Sequence, residues 1–138
     1  MGFEDFMSDL FTGIEHTAIA ARDSEKLAEW YAEHLDFKLA ASVENGPEKP
    51  KTCFVHLNGN FIEIMPCVKD LPNRDNTDRG LSHLAIVVSD FDRAVAKLDG
   101  AGIEKDGAER AGPWGSRIQF YRDPDGNLFH LLWRPKPL

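Results

Sequence analysis

The chain has 138 residues, about one domain's worth on a scale of roughly 100–200 residues per domain. Its 42% hydrophobic and 28% charged residues are ordinary for a folded protein and argue against disorder. A net charge of −7 disfavours a broad nucleic-acid surface, and no apolar run approaches the roughly 18 residues a membrane helix needs. The acidic start predicts no secretory signal, and Cys53 and Cys67, far from any C-x-x-C pair, read as reduced core thiols. The expectation is a cytoplasmic domain that binds neither nucleic acid nor membrane.

In chain order, residues 1–12 form an N-terminal extension. Phe3, Phe6, Met7, Leu10 and Phe11 fall at helical spacing, which predicts a short helix packed on the body or on a second subunit. A first strand follows at Glu15-His16-Thr17-Ala18-Ile19, then an amphipathic helix over Ser24–Leu35 with Leu27, Trp30, Tyr31 and Leu35 on one side. Ser24 is the expected N-cap. Short β-like runs cover Phe37–Val43, Thr52–Leu57 and Phe61–Cys67, the last two joined at Asn58-Gly59-Asn60. Residues 68–80, charged and Pro-containing, read as a linker. A fifth strand at Ser82-His83-Leu84-Ala85-Ile86 leads through Asp90, a second expected N-cap, to a helix over Asp92–Ala101. A weak strand near Ile103 and runs at Ser116–Arg122 and Leu128–Arg134 complete the chain, the last pair joined by Asp123-Pro124-Asp125-Gly126-Asn127.

The two halves repeat. Glu15–Ile19 resembles Ser82–Ile86, 67 positions on, and each half reads β-α-β-β-β, over about 13–67 and 81–134. The fold class is therefore α+β, one domain over 13–138 built of two such units.

The same offset carries His16 onto His83 and Glu63 onto His130. All four are metal-ligand types, and each falls among apolar neighbours on its strand face: Ala18 and Ala20 beside His16, Phe61 and Met65 beside Glu63, Leu128 and Leu132 beside His130. An ionisable group on an apolar face is costly unless paired or metal-bound. Four at repeat-related positions point to one shared divalent metal, and three imidazoles with one carboxylate suit Zn, Fe, Ni, Co or Mn better than Ca or Mg. A single strand histidine would more often be structural; His34, near a helix end, reads that way. His56, in phase with Phe54, lines either the pocket or the core. Arg117, Gln119 and Tyr121 share one face of the seventh strand, which either meets a substrate or is a solvated sheet face. Trp114, in the turn Gly112-Pro113-Trp114-Gly115, either flanks the pocket or packs.

Three segments carry a resemblance to the vicinal oxygen chelate superfamily, the glyoxalase, bleomycin-resistance and ring-cleaving dioxygenase group. They are His16–Ile19 followed by Trp30-Tyr31 and Leu35-Asp36-Phe37; Leu81–Ile86; and Tyr121-Arg122-Asp123-Pro124-Asp125-Gly126-Asn127. Asp36 stands where the family usually has Gly. The resemblance spans about Gly13–Arg134 and implies a concave mixed sheet of paired β-α-β-β-β units, the glyoxalase-like fold, around a divalent metal. The family's ligand positions fall on His16, Glu63, His83 and His130. The last is usually Glu in glyoxalase I, where it is both ligand and base, so His130 is a departure that counts against that particular reaction. Four ligand types count against a bleomycin-type binding protein, and the chain is short for a ring-cleaving dioxygenase.

The implied activity is lyase or isomerase chemistry on a small carbonyl substrate through a metal-stabilised enediolate. Glu63, His130 or a hydroxide on the metal would be the base, with Arg117 or Tyr121 orienting the substrate. An Fe(II) dioxygenase and a non-catalytic small-molecule binder are the alternatives. Small members of the family generally pair, which implies a homodimer.

Overall fold

The computed structural model describes residues 8–138. The expected N-terminal helix rests mainly on residues outside this range; residues 8–15 form neither helix nor strand, and Leu10 and Phe11 are exposed. The chain divides into two compact units between Cys67 and Val68, so the segment read as a linker belongs to the second.

Unit 1 contains β1 (His16–Ala21), α1 (Ser24–His34), β2 (Lys38–Val43), β3 (Thr52–Leu57) and β4 (Asn60–Pro66). Its sheet has the order β1-β4-β3-β2, with β1 parallel to β4 and the other pairs antiparallel. Alternation sends Ile19, Ala21, Cys53, Val55, Ile62 and Ile64 to one side, all buried. α1 packs on β3 and β4 and contributes buried Leu27, Ala28 and Tyr31, whose ring meets Phe37 edge-on at 5.4 Å. The helix begins one residue earlier than expected. Asp23, not Ser24, is the N-cap, its carboxylate accepting from the Lys26 amide at 3.1 Å. The Ser24 hydroxyl is diverted to the Lys51 carbonyl at 2.5 Å. Past the helix, Asp36 has φ 60°. A left-handed residue after a helix explains why glycine is usual there; Asp is among the few others that tolerate it. At Asn58-Gly59 both φ angles are positive, as a two-residue type I′ hairpin requires.

Unit 2 repeats the plan with β5 (Leu84–Val87), α2 (Phe91–Gly100), β6 (Arg110–Ala111), β7 (Arg117–Arg122) and β8 (Leu128–Trp133). Its order is β5-β8-β7-β6, with β5 parallel to β8. Asp90 caps α2 as expected, accepting from the Arg93 amide at 3.1 Å. The strand expected near Ile103 is instead the closing turn of α2, where the Ile103 amide bonds the Leu98 carbonyl at 3.1 Å. The edge strand is the two-residue β6, farther along. Beneath α2 lie Ile86, Tyr121, Phe129 and Leu131, with Tyr121 and Phe129 stacked at 5.6 Å. The Asp123–Asn127 loop is held by Asp123, whose carboxylate accepts from the Asp125 and Asn127 amides. Among the described residues no helix is long and apolar enough to cross a membrane.

Candidate functional site

In unit 1 the face away from α1 carries His16, Ala18, Phe54, His56, Phe61, Glu63 and Met65. The register fixes this: Ala18 lies beside Glu63, Phe54 opposite Glu63, and His56 opposite Phe61. His16 Nε2 stands 3.4 Å from Glu63 Oε2. The other ring nitrogen, Nδ1, is 2.9 Å from the Glu15 carboxylate. Carboxylates only accept, so the His16 ring lies between two acceptors, Glu15 at Nδ1 and, farther off, Glu63 at Nε2. Phe54 meets the His16 ring edge-on at 5.8 Å.

Unit 2 builds the same group. His83 lies just ahead of β5 rather than within it, and its ring is 4.5 Å from that of His130, tilted by 38°. Phe120, opposite His130 in the register, sets its edge against His83 at 5.1 Å and His130 at 4.9 Å. The Ser82 hydroxyl gives its one proton to the Asn76 carbonyl at 2.7 Å and lies 2.8 Å from His83 Nδ1. The hydroxyl therefore accepts from Nδ1–H, and His83 presents Nε2 as a lone pair. Burial first, and then the fields of His83 and Arg134, push the His130 pKa down to about 4. Burial, aided by Arg110, lowers that of His83. Both rings are held neutral, the state a ligand needs.

The two groups thus match part for part: an acceptor on the preceding residue (Glu15, Ser82), a histidine (His16, His83), an aromatic edge (Phe54, Phe120) and a second donor (Glu63, His130). Glu15, Ser82, Phe54 and Phe120 were not singled out from the sequence as site residues. The signal for the first two was present, since each directly precedes a repeat-related histidine.

Among the described residues, no three His, Cys, Asp or Glu side chains gather closely enough to hold an ion. The ligand types meet as pairs, one in each unit, and each pair has the spacing of two ligands on one ion. Donors about 2.1 Å from a metal lie about 3.4 Å apart at a tetrahedral angle, the His16–Glu63 separation. Two imidazoles bound at a right angle place their ring centres about 4.5 Å apart, the His83–His130 spacing. His130 Nδ1 is buried without a hydrogen-bond partner among the described residues, an unmet polar atom that a ligand role would satisfy.

The other expected site residues divide. His56 lies on the His16–Glu63 face, stacked on Phe61 at 5.3 Å, with its buried Nδ1 unpartnered among the described residues. Trp114 is exposed, on a turn with φ 56°, and the Arg134 guanidinium lies 5.7 Å from its ring. Arg117, Gln119 and Tyr121 are corrected. Because Phe120 faces His130, its strand neighbours point to the other side of the sheet. There Arg117 packs over Phe91 of α2 and is bound by Glu109 and Asp92, each at 3.0 Å. Gln119 is buried, donating to the Gly107 and Phe120 carbonyls. Tyr121 is fully buried, and desolvation drives its hydroxyl up to about 12. These three hold unit 2 together and do not line the histidine face. His34 ends α1 with its ring against Trp30, in keeping with a structural role.

Two β-α-β-β-β units, each with a four-stranded mixed sheet and a matched pair of ligand-type side chains on the sheet face away from the helix, define a glyoxalase-like fold. The chain belongs to the Glyoxalase/Bleomycin resistance protein/Dioxygenase superfamily, which it matches over residues 13–131. It is 30% identical to the uncharacterized protein YwkD of Bacillus subtilis strain 168 over 118 residues, 84% of this chain and 92% of that one. It is 32% identical to the uncharacterized protein YaeR of Escherichia coli K12 over 117 residues, 82% of this chain and 89% of that one. Among solved structures, a glyoxalase family protein from Enterococcus faecalis is similar with a TM-score of 0.72 and 29% identity, covering 88% of this chain and 98% of that one.

Proposed function

We propose that the protein is a metal-dependent enzyme of the lyase or isomerase type acting on a small carbonyl compound. The observation that carries this reading is the pair of histidines, 67 positions apart, each with Nδ1 engaged by the side chain of the preceding residue and each beside a second ligand-type side chain, Glu63 or His130. His16, Glu63, His83 and His130 supply the ligands of one divalent metal per site, of the Zn, Ni, Co, Mn or Fe group. When bound, such an ion supplies Lewis-acid stabilisation of negative charge on a substrate oxygen.

The chain's own residues do the rest. Ser82 holds the His83 imidazole in the ligating tautomer, and Glu15 engages the His16 ring at Nδ1. Phe54 and Phe120 wall the histidines and limit water. His130, only 5% exposed and held neutral, serves as a lone-pair donor rather than a proton carrier. The Glu63 carboxylate meets His16 and keeps some exposure, so it is the group assigned to take a proton next to the substrate carbonyl. His56 lines the same face. The assembly is read as a homodimer, which sedimentation of the purified protein checks.

Elemental analysis of untagged protein, beside Glu63→Ala, His83→Ala and His130→Ala, tests the reading. Near-stoichiometric metal in the parent, lost in the variants, supports it. Glu63→Gln should then keep much of the metal while losing proton exchange between a bound 2-oxo aldehyde hemithioacetal and deuterated solvent. A parent that takes up none of Zn, Ni, Co, Mn or Fe refutes the enzyme reading in favour of a small-molecule binder. Obligate Fe(II) with oxygen uptake would select the dioxygenase instead.

A further inference from the structure

We infer that the histidine-bearing face of unit 2 receives an oxyanion, so that the carbonyl substrate carries a carboxylate or phosphate group held by Arg110 and Arg134. This deepens the metal-site reading above and rests on it for the identity of the reacting end.

Arg110 lies across from Ile118 in the β6–β7 register, on the Phe120 side of the sheet. Its guanidinium sits over the Phe120 ring, 4.8 Å from the centre, and that ring touches both His83 and His130. Arg134 follows β8 in phase with His130 and Leu132, and its guanidinium lies beside the Trp114 ring. Its Nη1 is buried without a hydrogen-bond partner among the described residues. The fields of both arginines are felt at the histidines, Arg110 at His83 and Arg134 at His130.

The contrast with the other side of the same sheet is informative. There Arg117 is neutralised by Glu109 and Asp92, and Arg122, near the loop end, by Asp106. Among the described residues neither Arg110 nor Arg134 meets a carboxylate, in a chain with 23 acids and only 16 bases. A half-buried guanidinium with an unmet N–H is costly unless an anion completes it. Arg134 is such a group, and with the exposed Arg110, also set against an aromatic ring, it presents forks suited to carboxylate or phosphate. Their charge also favours negative charge developing on a substrate oxygen beside them.

The test titrates inorganic phosphate and, separately, acetate into the full-length chain and follows the arginine Nε–H signals by NMR. Arg110 and Arg134 should shift saturably while Arg117 stays in place, and the anion that binds more tightly distinguishes phosphate from carboxylate. An Arg110→Gln/Arg134→Gln double variant should lose at least about tenfold in affinity, and Arg117→Gln should keep it. On the nickel-loaded chain, phosphoglycolohydroxamate should bind at least about tenfold more tightly than acetohydroxamate, with the advantage lost in the double variant. No saturable shift, or equal affinities in parent and double variant, overturns the inference even where metal uptake is intact. An anion response without metal uptake upholds the anion site and overturns the metal reading alone.

Discussion

Ser82→Ala is the sharpest single perturbation of the site. The hydroxyl joins the Asn76 carbonyl at 2.7 Å to His83 Nδ1 at 2.8 Å, and alanine removes both bonds at once. The ring is then free to rotate and to place its proton on Nε2, the atom that would otherwise bind metal. Outer partners of this kind are worth about 10–100-fold in metal affinity, or about 1.4–2.8 kcal/mol. Loss of a partly buried hydrogen bond adds roughly 1 kcal/mol of global destabilisation. Competition with a chromophoric chelator for Zn reads the first effect, urea melting of the metal-free protein the second, and the ring nitrogen shifts of His83 the tautomer directly. Ser82→Thr, which restores the hydroxyl, should recover most of the affinity. The reasoning fails if Ser82→Ala binds Zn within twofold of the parent while His83→Ala binds none, because His83 would then be a ligand without needing its partner.

Stability of the metal-free protein should fall with acid in a definite window. The folded pKa of His130 is depressed from 6.5 to about 4, so between these values the unfolded chain binds more protons. Its contribution is present above about pH 6.5 and is lost as pH drops toward 4; denaturant midpoints at pH 7, 5.5 and 4.5 should show the slope, reduced in His130→Gln. Arg117→Gln should leave metal and phosphate affinity within about twofold, since Arg117 lies on the α2 side of the sheet, while lowering the melting temperature by an amount that shrinks in high salt. Asp90→Ala should cost about 1 kcal/mol in urea unfolding through loss of the α2 cap, with no change in metal affinity.

Much of this was legible in the one-dimensional pattern. The repeat of Glu15–Ile19 at Ser82–Ile86, with periods of 3.6 and 2 in matching order, specified two β-α-β-β-β units, because burial of one face per element imposes those periods. The offset that equates His16 with His83 and Glu63 with His130 also brought out the residues that the sheets place in pairs, since equivalent positions in a repeat occupy equivalent places in the fold.

The errors have physical causes too. Asp23 and Ser24 are both capping types, and only the reach of the Ser24 hydroxyl to Lys51, 27 residues away, decides which one caps. Period 2 groups Arg117, Gln119 and Tyr121 on one face, but says nothing of whether helix or ligand lies over it. That was settled by the β7–β8 register, which puts Phe120 opposite His130, and by α2, which supplies Phe91 and Asp92 to Arg117. Local spacing therefore determined the units, the ligand types and their equivalence. The tertiary structure decided which side of each sheet carries the ligand-type side chains, which arginines are already neutralised and which way the His83 imidazole presents its lone pair. Those depend on contacts between residues far apart in the chain, whose distances no local period encodes.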